Sequence, residues 1–152
     1  MISDQEVIFR LLLSVLLSGL VGLEREIQGR AAGLRTHILV CVGSALVMLT
    51  AVHLVEAYRG VTPIDPGRMA AQVVSGIGFL GAGTIIQAGD SIRGLTTAAS
   101  LWAVAGLGLA VGSGFYVGAA SATMIVLGVL LILSRFERRV VGSKRERESR
   151  EE

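Results

Sequence analysis

Long apolar runs alternate with short charged ones along this chain. A bilayer core is crossed by about 20 consecutive apolar residues, and five stretches approach that length: residues 7–23, 36–58, 69–87, 95–111 and 115–134. Arg10 is the lone charge in the first, near its outer end. The third carries no charge and is rich in glycine, with Gly76, Gly78, Gly81 and Gly83 close together. Such glycines weaken a helix in water by about 1 kcal/mol each. In lipid they let neighbouring backbones approach closely. The pattern therefore predicts an all-α, polytopic membrane bundle of about five transmembrane helices, with the third at its centre. The fifth is the most uniformly aliphatic and is expected to face lipid most.

The connections are short. Asp65 is placed to cap the third helix and Pro66 suits its first position. Gly112-Ser113-Gly114 reads as a tight turn before the fifth. Residues 1–134 form the membrane domain. Residues 135–152 mix both charges, as in Lys144-Arg145-Glu146-Arg147-Glu148, and are expected to extend the fifth helix and fray, with no second domain after them.

Composition agrees with the pattern: 52% of the 152 residues are hydrophobic and the mean hydropathy is +0.68. A single cysteine, Cys41, excludes a disulfide framework within the chain. The acidic start lacks the basic region and cleavage site of a secretory signal, so the first apolar run is expected to stay. The net charge of +2 says less than its placement. With the N-terminus outside, Arg25, Arg30, Arg35, Arg93 and the tail cations lie in the cytoplasm, and Arg59 and Arg68 outside, as the positive-inside bias requires. The expected orientation is N-out and C-in. Ser18-Gly19-Leu20-Val21-Gly22-Leu23 echoes Ser75-Gly76-Ile77-Gly78-Phe79-Leu80, and Gly33-Leu34-Arg35-Thr36 echoes Gly94-Leu95-Thr96-Thr97. These echoes suggest that the first and second helical pairs are parallel repeats.

Candidate chemistry gathers on the cytoplasmic side. Glu24, Arg25, Arg30, Arg35 and Thr36 surround the start of the second helix, and Arg93, Thr96 and Thr97 that of the fourth. Free N–H groups and the helix dipole favour an anion there, so a phosphate, a lipid headgroup or a partner's carboxylate fits. Equally, the threonines cap the helices and a glutamate pairs with arginine. Within the spans, Gln72, Ser75, Thr84 and Ser100 serve either as inter-helix glue or as a polar path. Trp102 lies mid-span, away from the usual interfacial position, and calls for a partner. Gly108 and Gly112 form a small-xxx-small pair for packing within the chain or in a homodimer. Outside, Arg10, His53, Glu56, Asp65 and Arg68 are expected at one level. Glu56 and Asp65 either neutralise the arginines or hold a hydrated Mg²⁺. No other cofactor is expected. No enzyme signature of the phosphate-loop, HExxH or GxSxG kind occurs, and no aromatic platform suggests nucleic acid.

Gly22-Leu23-Glu24-Arg25-Glu26, Ala32-Gly33-Leu34-Arg35-Thr36-His37, the run from Ala71-Gln72-Val73 through Gly81-Ala82-Gly83, and Arg93-Gly94-Leu95-Thr96-Thr97-Ala98-Ala99-Ser100-Leu101-Trp102 closely resemble the MgtC/SapB family of bacterial inner-membrane proteins. The resemblance runs from the first helix to the fifth. It implies a multi-pass protein of the bacterial plasma membrane linked to growth in low magnesium and, in pathogens, to survival inside macrophages. It implies a regulatory role, exerted by binding other membrane proteins, including ATP synthase. Transport of Mg²⁺ or another small ion is the alternative, and a structural homo-oligomer a third reading. Larger members carry a soluble C-terminal domain, in place of which this chain has its charged tail, and His37 stands where some members have asparagine.

Overall fold

The computed structural model describes residues 2–89 and 91–133. The charged tail, on which part of the expected orientation and the second boundary rested, lies outside the described residues. Among the described residues five helices form: α1 Asp4–Ile27, α2 Leu34–Ala57, α3 Pro66–Gly83, α4 Leu95–Ser113 and α5 Tyr116–Gly128. The last continues as a π-helical turn over Val129–Leu133.

Local chemistry sets the ends. Ser3 caps α1 by accepting from the Glu6 N–H at 3.3 Å, and Asp4 and Glu6 place negative charge on the positive end of the helix dipole. Asp65 caps α3 through the Gly67 N–H at 2.8 Å, with Pro66 at the first position, as the sequence predicts. α4 lies between two left-handed glycines, Gly94 (φ 91°) and Gly114 (φ 86°). That conformation is routine only for glycine, so both turns are written into the chain.

α1, α2, α4 and α5 with its continuation are long and apolar enough to cross a membrane. α3 is not among them: Arg68, Gln72 and Ser75 interrupt its 18 residues, and its many glycines contribute little. The third of the five expected spans is thus the one that falls short of the others. The architecture is all-α, as the sequence predicts, with one small addition in a loop. The loop between α3 and α4 pairs as a small antiparallel hairpin, β1 Ile86–Ala88 with β2 Ser91–Arg93, in the register Ile86↔Arg93, Gln87↔Ile92, Ala88↔Ser91. Gly89, at φ 60°, allows the chain to reverse there.

The centre of the bundle is α4, not α3. α4 packs against each of the other four helices, and its buried residues include Leu101, Val104, Ala105, Leu107, Gly108, Val111 and Gly112. The reason is where the small residues point. On α4, Gly108 and Gly112 both face α2. A β-carbon at Gly108 would collide with the Cys41 carbonyl oxygen and lie 2.8 Å from Ser44 Cβ; one at Gly112 would lie 2.6 Å from the Ala45 carbonyl oxygen. On α3 the glycines are spread around the helix. Gly81 faces Ala98 of α4, but Gly76, Gly78 and Gly83 have nothing within 4 Å. α3 therefore lies at the side of the bundle, with only Ile77 and Gly81 buried. α2 and α4 run the same way, since Ser100 meets His37 while Gly112 meets Ala45 and Met48. Both helices thus start at one end of the bundle, beside the hairpin.

Candidate functional site at the arginine-rich end

Along α1, Arg10, Ser14, Ser18, Val21 and Arg25 recur at helical spacing and share one face. That face is turned into the bundle: Ser14, Ser18 and Val21 are fully buried and Arg25 is 2% exposed. The last turn of α1 sets Glu24 and Arg25 under the starts of α2 and α4. Arg25 Nε donates to Glu24 Oε2 at 2.5 Å and Nη2 to Oε1 at 2.9 Å, a two-pronged charge-assisted pair. Its third nitrogen, Nη1, is enclosed and has no hydrogen-bond partner.

His37, also fully buried, stands beside this pair. Gly22 makes room for it, since a β-carbon there would lie 3.0 Å from His37 Cβ and 2.9 Å from Leu34 Cα. His37 Nδ1 is 2.8 Å from the Gly33 carbonyl oxygen and Nε2 is 3.0 Å from Ser100 Oγ. A carbonyl only accepts, so Nδ1 carries the proton. The Ser100 hydroxyl, which donates to the Thr97 carbonyl at 2.8 Å, can also turn its proton toward Nε2. The His37–Ser100 contact thereby joins α2 to α4, beside the Glu24–Arg25 pair of α1.

The helix starts differ from expectation. Threonine caps neither. α2 is capped by Gly33 and α4 by Gly94, and neither glycine has a side chain to offer. Instead Glu26, reaching across the α1–α2 turn, accepts from the Leu34 N–H at 2.9 Å. A β-carbon on Gly33 would collide with that carboxylate. Of the residues singled out at this end, Glu24, Arg25, Thr97 and Ser100 come together in the buried cluster, while Arg30, Arg35, Thr36, Arg93 and Thr96 are exposed around it. Gln72 and Ser75 are exposed on α3, and Thr84 returns its hydroxyl to the Gly81 carbonyl at 2.8 Å. Trp102 points outward from α4, 57% exposed, rather than toward another helix.

At the opposite end Arg10 takes partners other than the expected Glu56 or Asp65. Arg10 Nε lies 2.9 Å from both Glu6 Oε1 and Tyr116 Oη, and Nη1 donates to the Gly112 carbonyl at 2.8 Å. Tyr116 in turn donates to Glu6 and meets Phe9 edge-on at 5.7 Å. Arg10 therefore fastens α1 to the α4–α5 turn instead of pairing with Glu56 or Asp65, and Asp65 is occupied with its cap. Among the described residues no three His, Cys, Asp or Glu side chains are grouped to hold a metal ion.

The sequence reads His37 as a polar boundary residue, whereas it is fully buried, and it does not single out Ser14 and Ser18. Ser14 and Ser18 return their hydroxyls to the carbonyls of Arg10 and Ser14, at 2.9 and 2.6 Å. Their four-residue spacing from Arg10 was the available signal.

The MgtC family pattern matches residues 11–139. The chain belongs to the MgtC family. It is 44% identical over 133 residues to Protein MgtC of Salmonella typhimurium (strain LT2), covering 88% of this chain and 54% of that protein. It is 45% identical over 113 residues to YhiD of Escherichia coli (strain K12), whose name refers to magnesium transport, covering 73% and 53% of the two. A Haemophilus influenzae protein is 42% identical over 149 residues, covering 95% and 62%. The chain thus spans about half the length of the MgtC and YhiD relatives it matches. No solved structure matches it. MgtC family proteins are membrane proteins, in keeping with four helices able to cross a bilayer.

Proposed function

We propose that this MgtC family member is a multi-pass protein of the bacterial plasma membrane that binds other membrane proteins and limits their activity, ATP synthase among them. In this reading the N-terminus is outside, α3 completes a fifth crossing, and the arginine-rich end faces the cytoplasm. The glycine-capped starts of α2 and α4 also fit a parallel repeat of the two helical pairs. The role is that of supporting growth in low magnesium and survival inside host cells.

The observation that carries this reading is the α2–α4 seam. The two helices meet backbone to backbone at Gly108 and Gly112, around Cys41, Ala45, Val104 and Leu107, all 3% exposed or less. That closed middle favours a surface-acting protein over a conduit. Its accessible chemistry lies at the cationic end, where Arg30, Arg35 and Arg93 are exposed, and on the side of α3. A second copy of the chain or another membrane helix can meet α3 closely. The name of the E. coli relative favours a second reading, carriage of Mg²⁺.

Two measurements separate them. Purified protein in liposomes with an internal Mg²⁺ dye should show no saturable uptake, and robust saturable uptake would overturn the proposal. Added to membrane vesicles holding ATP synthase, the protein should reduce ATP-driven proton pumping. Arg35→Ala should weaken that effect while leaving insertion intact.

A further inference from the structure

The Arg25 guanidinium carries five N–H donors. Glu24 engages Nε and Nη2, and the two donors on Nη1 are enclosed with no acceptor. A buried charged donor left unmet is costly, and such a group marks an acceptor supplied from outside the fold. We propose that Nη1 receives an oxygen of a phosphate group, held at the end of the bundle where α2 and α4 begin.

The surroundings select an anion over a water molecule. Glu24 already neutralises Arg25, so the remaining field comes from the helices and the surface. α2 and α4 run parallel and bring their positive ends to the same level. Gly94 has no side chain to cap α4, so amide donors of its first turn remain for a ligand, while on α2 the Leu34 N–H is taken by Glu26. Thr97 and Ser100 of α4 and His37 of α2 are buried around the same junction. Arg30, Arg35 and Arg93 are exposed at this end. The acid that opposes them, Glu26, is engaged by the Leu34 N–H. A water would meet the hydrogen-bonding need of Nη1 but gain little from this field. A phosphate oxygen meets both, and the planar guanidinium suits its geometry. The phosphate belongs either to free inorganic phosphate or to a phospholipid headgroup in the adjacent leaflet. The site goes beyond the regulatory reading and does not depend on it.

The test uses the full chain in phospholipid-free maltoside micelles. One arm titrates inorganic phosphate against chloride at matched ionic strength and reads the thermal unfolding midpoint. The other adds phosphatidylglycerol and counts retained lipid by native mass spectrometry. Binding in the first arm alone assigns the site to free phosphate, and binding in the second alone to the headgroup; either supports the proposal. Arg25→Lys should weaken binding about tenfold, the loss of one charge-assisted hydrogen bond. Glu24→Gln should strengthen it, because the guanidinium is then no longer neutralised. A merely structural pair predicts no gain from Glu24→Gln. Binding in neither arm, or unchanged binding by Arg25→Lys, would overturn the proposal. Should Arg25→Lys fail to fold, the absence of a gain in Glu24→Gln overturns it alone.

Discussion

Gly108→Ala tests the seam that organises the bundle. The added methyl would collide with the Cys41 carbonyl oxygen and lie 2.8 Å from Ser44 Cβ and 3.0 Å from the Ala45 nitrogen. Carbon contacts relax at about 3.5–4.0 Å, so α2 and α4 must separate by roughly 1 Å. Two of the three obstacles are backbone atoms, which cannot rotate aside. Overpacking of this kind costs about 1–3 kcal/mol, and a backbone collision belongs at the upper end. Replacing a helical glycine by alanine returns about 1 kcal/mol, so the expected net loss is about 2 kcal/mol. Gly76→Ala is the matched control. Nothing lies within 4 Å of its new methyl, so only the propensity gain of at most about 1 kcal/mol remains. The two variants should differ by about 3 kcal/mol. The assay is reversible unfolding in mixed micelles, followed by the fluorescence of Trp102, the one tryptophan in the chain. If Gly108→Ala unfolds at the same denaturant fraction as Gly76→Ala, the backbone-close seam does not exist.

Three further outcomes are expected in the same assay. Arg25→Ala leaves the Glu24 carboxylate buried alone and should cost about 3–5 kcal/mol, while the pair Glu24→Gln with Arg25→Gln should recover much of that loss. A recovery that never comes would place Glu24 in water rather than in the bundle. Tyr116→Phe removes the hydroxyl shared by Glu6 and Arg10 and should lower the unfolding midpoint, modestly because Glu6 is open to solvent; a midpoint equal to the unaltered protein's would mean that α1 is not fastened to the α4–α5 turn by this contact. Gly33→Ala displaces Glu26 from the Leu34 N–H and should cost about 1 kcal/mol, the value of a lost helix cap, with Glu26→Gln/Gly33→Ala no worse than Gly33→Ala alone.

The spans were legible because a bilayer leaves few choices: long apolar runs with charged punctuation read directly as helices, and Asp65-Pro66 and the glycine turns marked their ends. The identity of the central helix was not legible. Glycine content drew attention to α3, but what matters is whether the glycines share a face that another backbone reaches. Gly108 and Gly112 do so on α4, and Gly76, Gly78 and Gly83 on α3 do not. Charge was similarly readable in sum and not in detail. The four arginines near the starts of α2 and α4 were found, but Arg25 is buried and the other three exposed. That difference arises because Arg25 alone falls on the inward stripe of α1. Caps were misassigned to threonine because side-chain type suggested them, whereas Glu26 reaches Leu34 from eight residues away in sequence. The partnership of Arg10 with Tyr116 joins residues 106 apart, a pairing that no local pattern carries.

The central claim is that this bundle spans a membrane with its arginine-rich end inside. It is tested most directly by single cysteines placed in a Cys41→Ser background and labelled with a membrane-impermeant maleimide on intact cells. Gly60→Cys, in the turn after α2, should be labelled at once, and Ile92→Cys, in the hairpin before α4, only after the membrane is opened. Labelling of Ile92→Cys in intact cells would contradict the account.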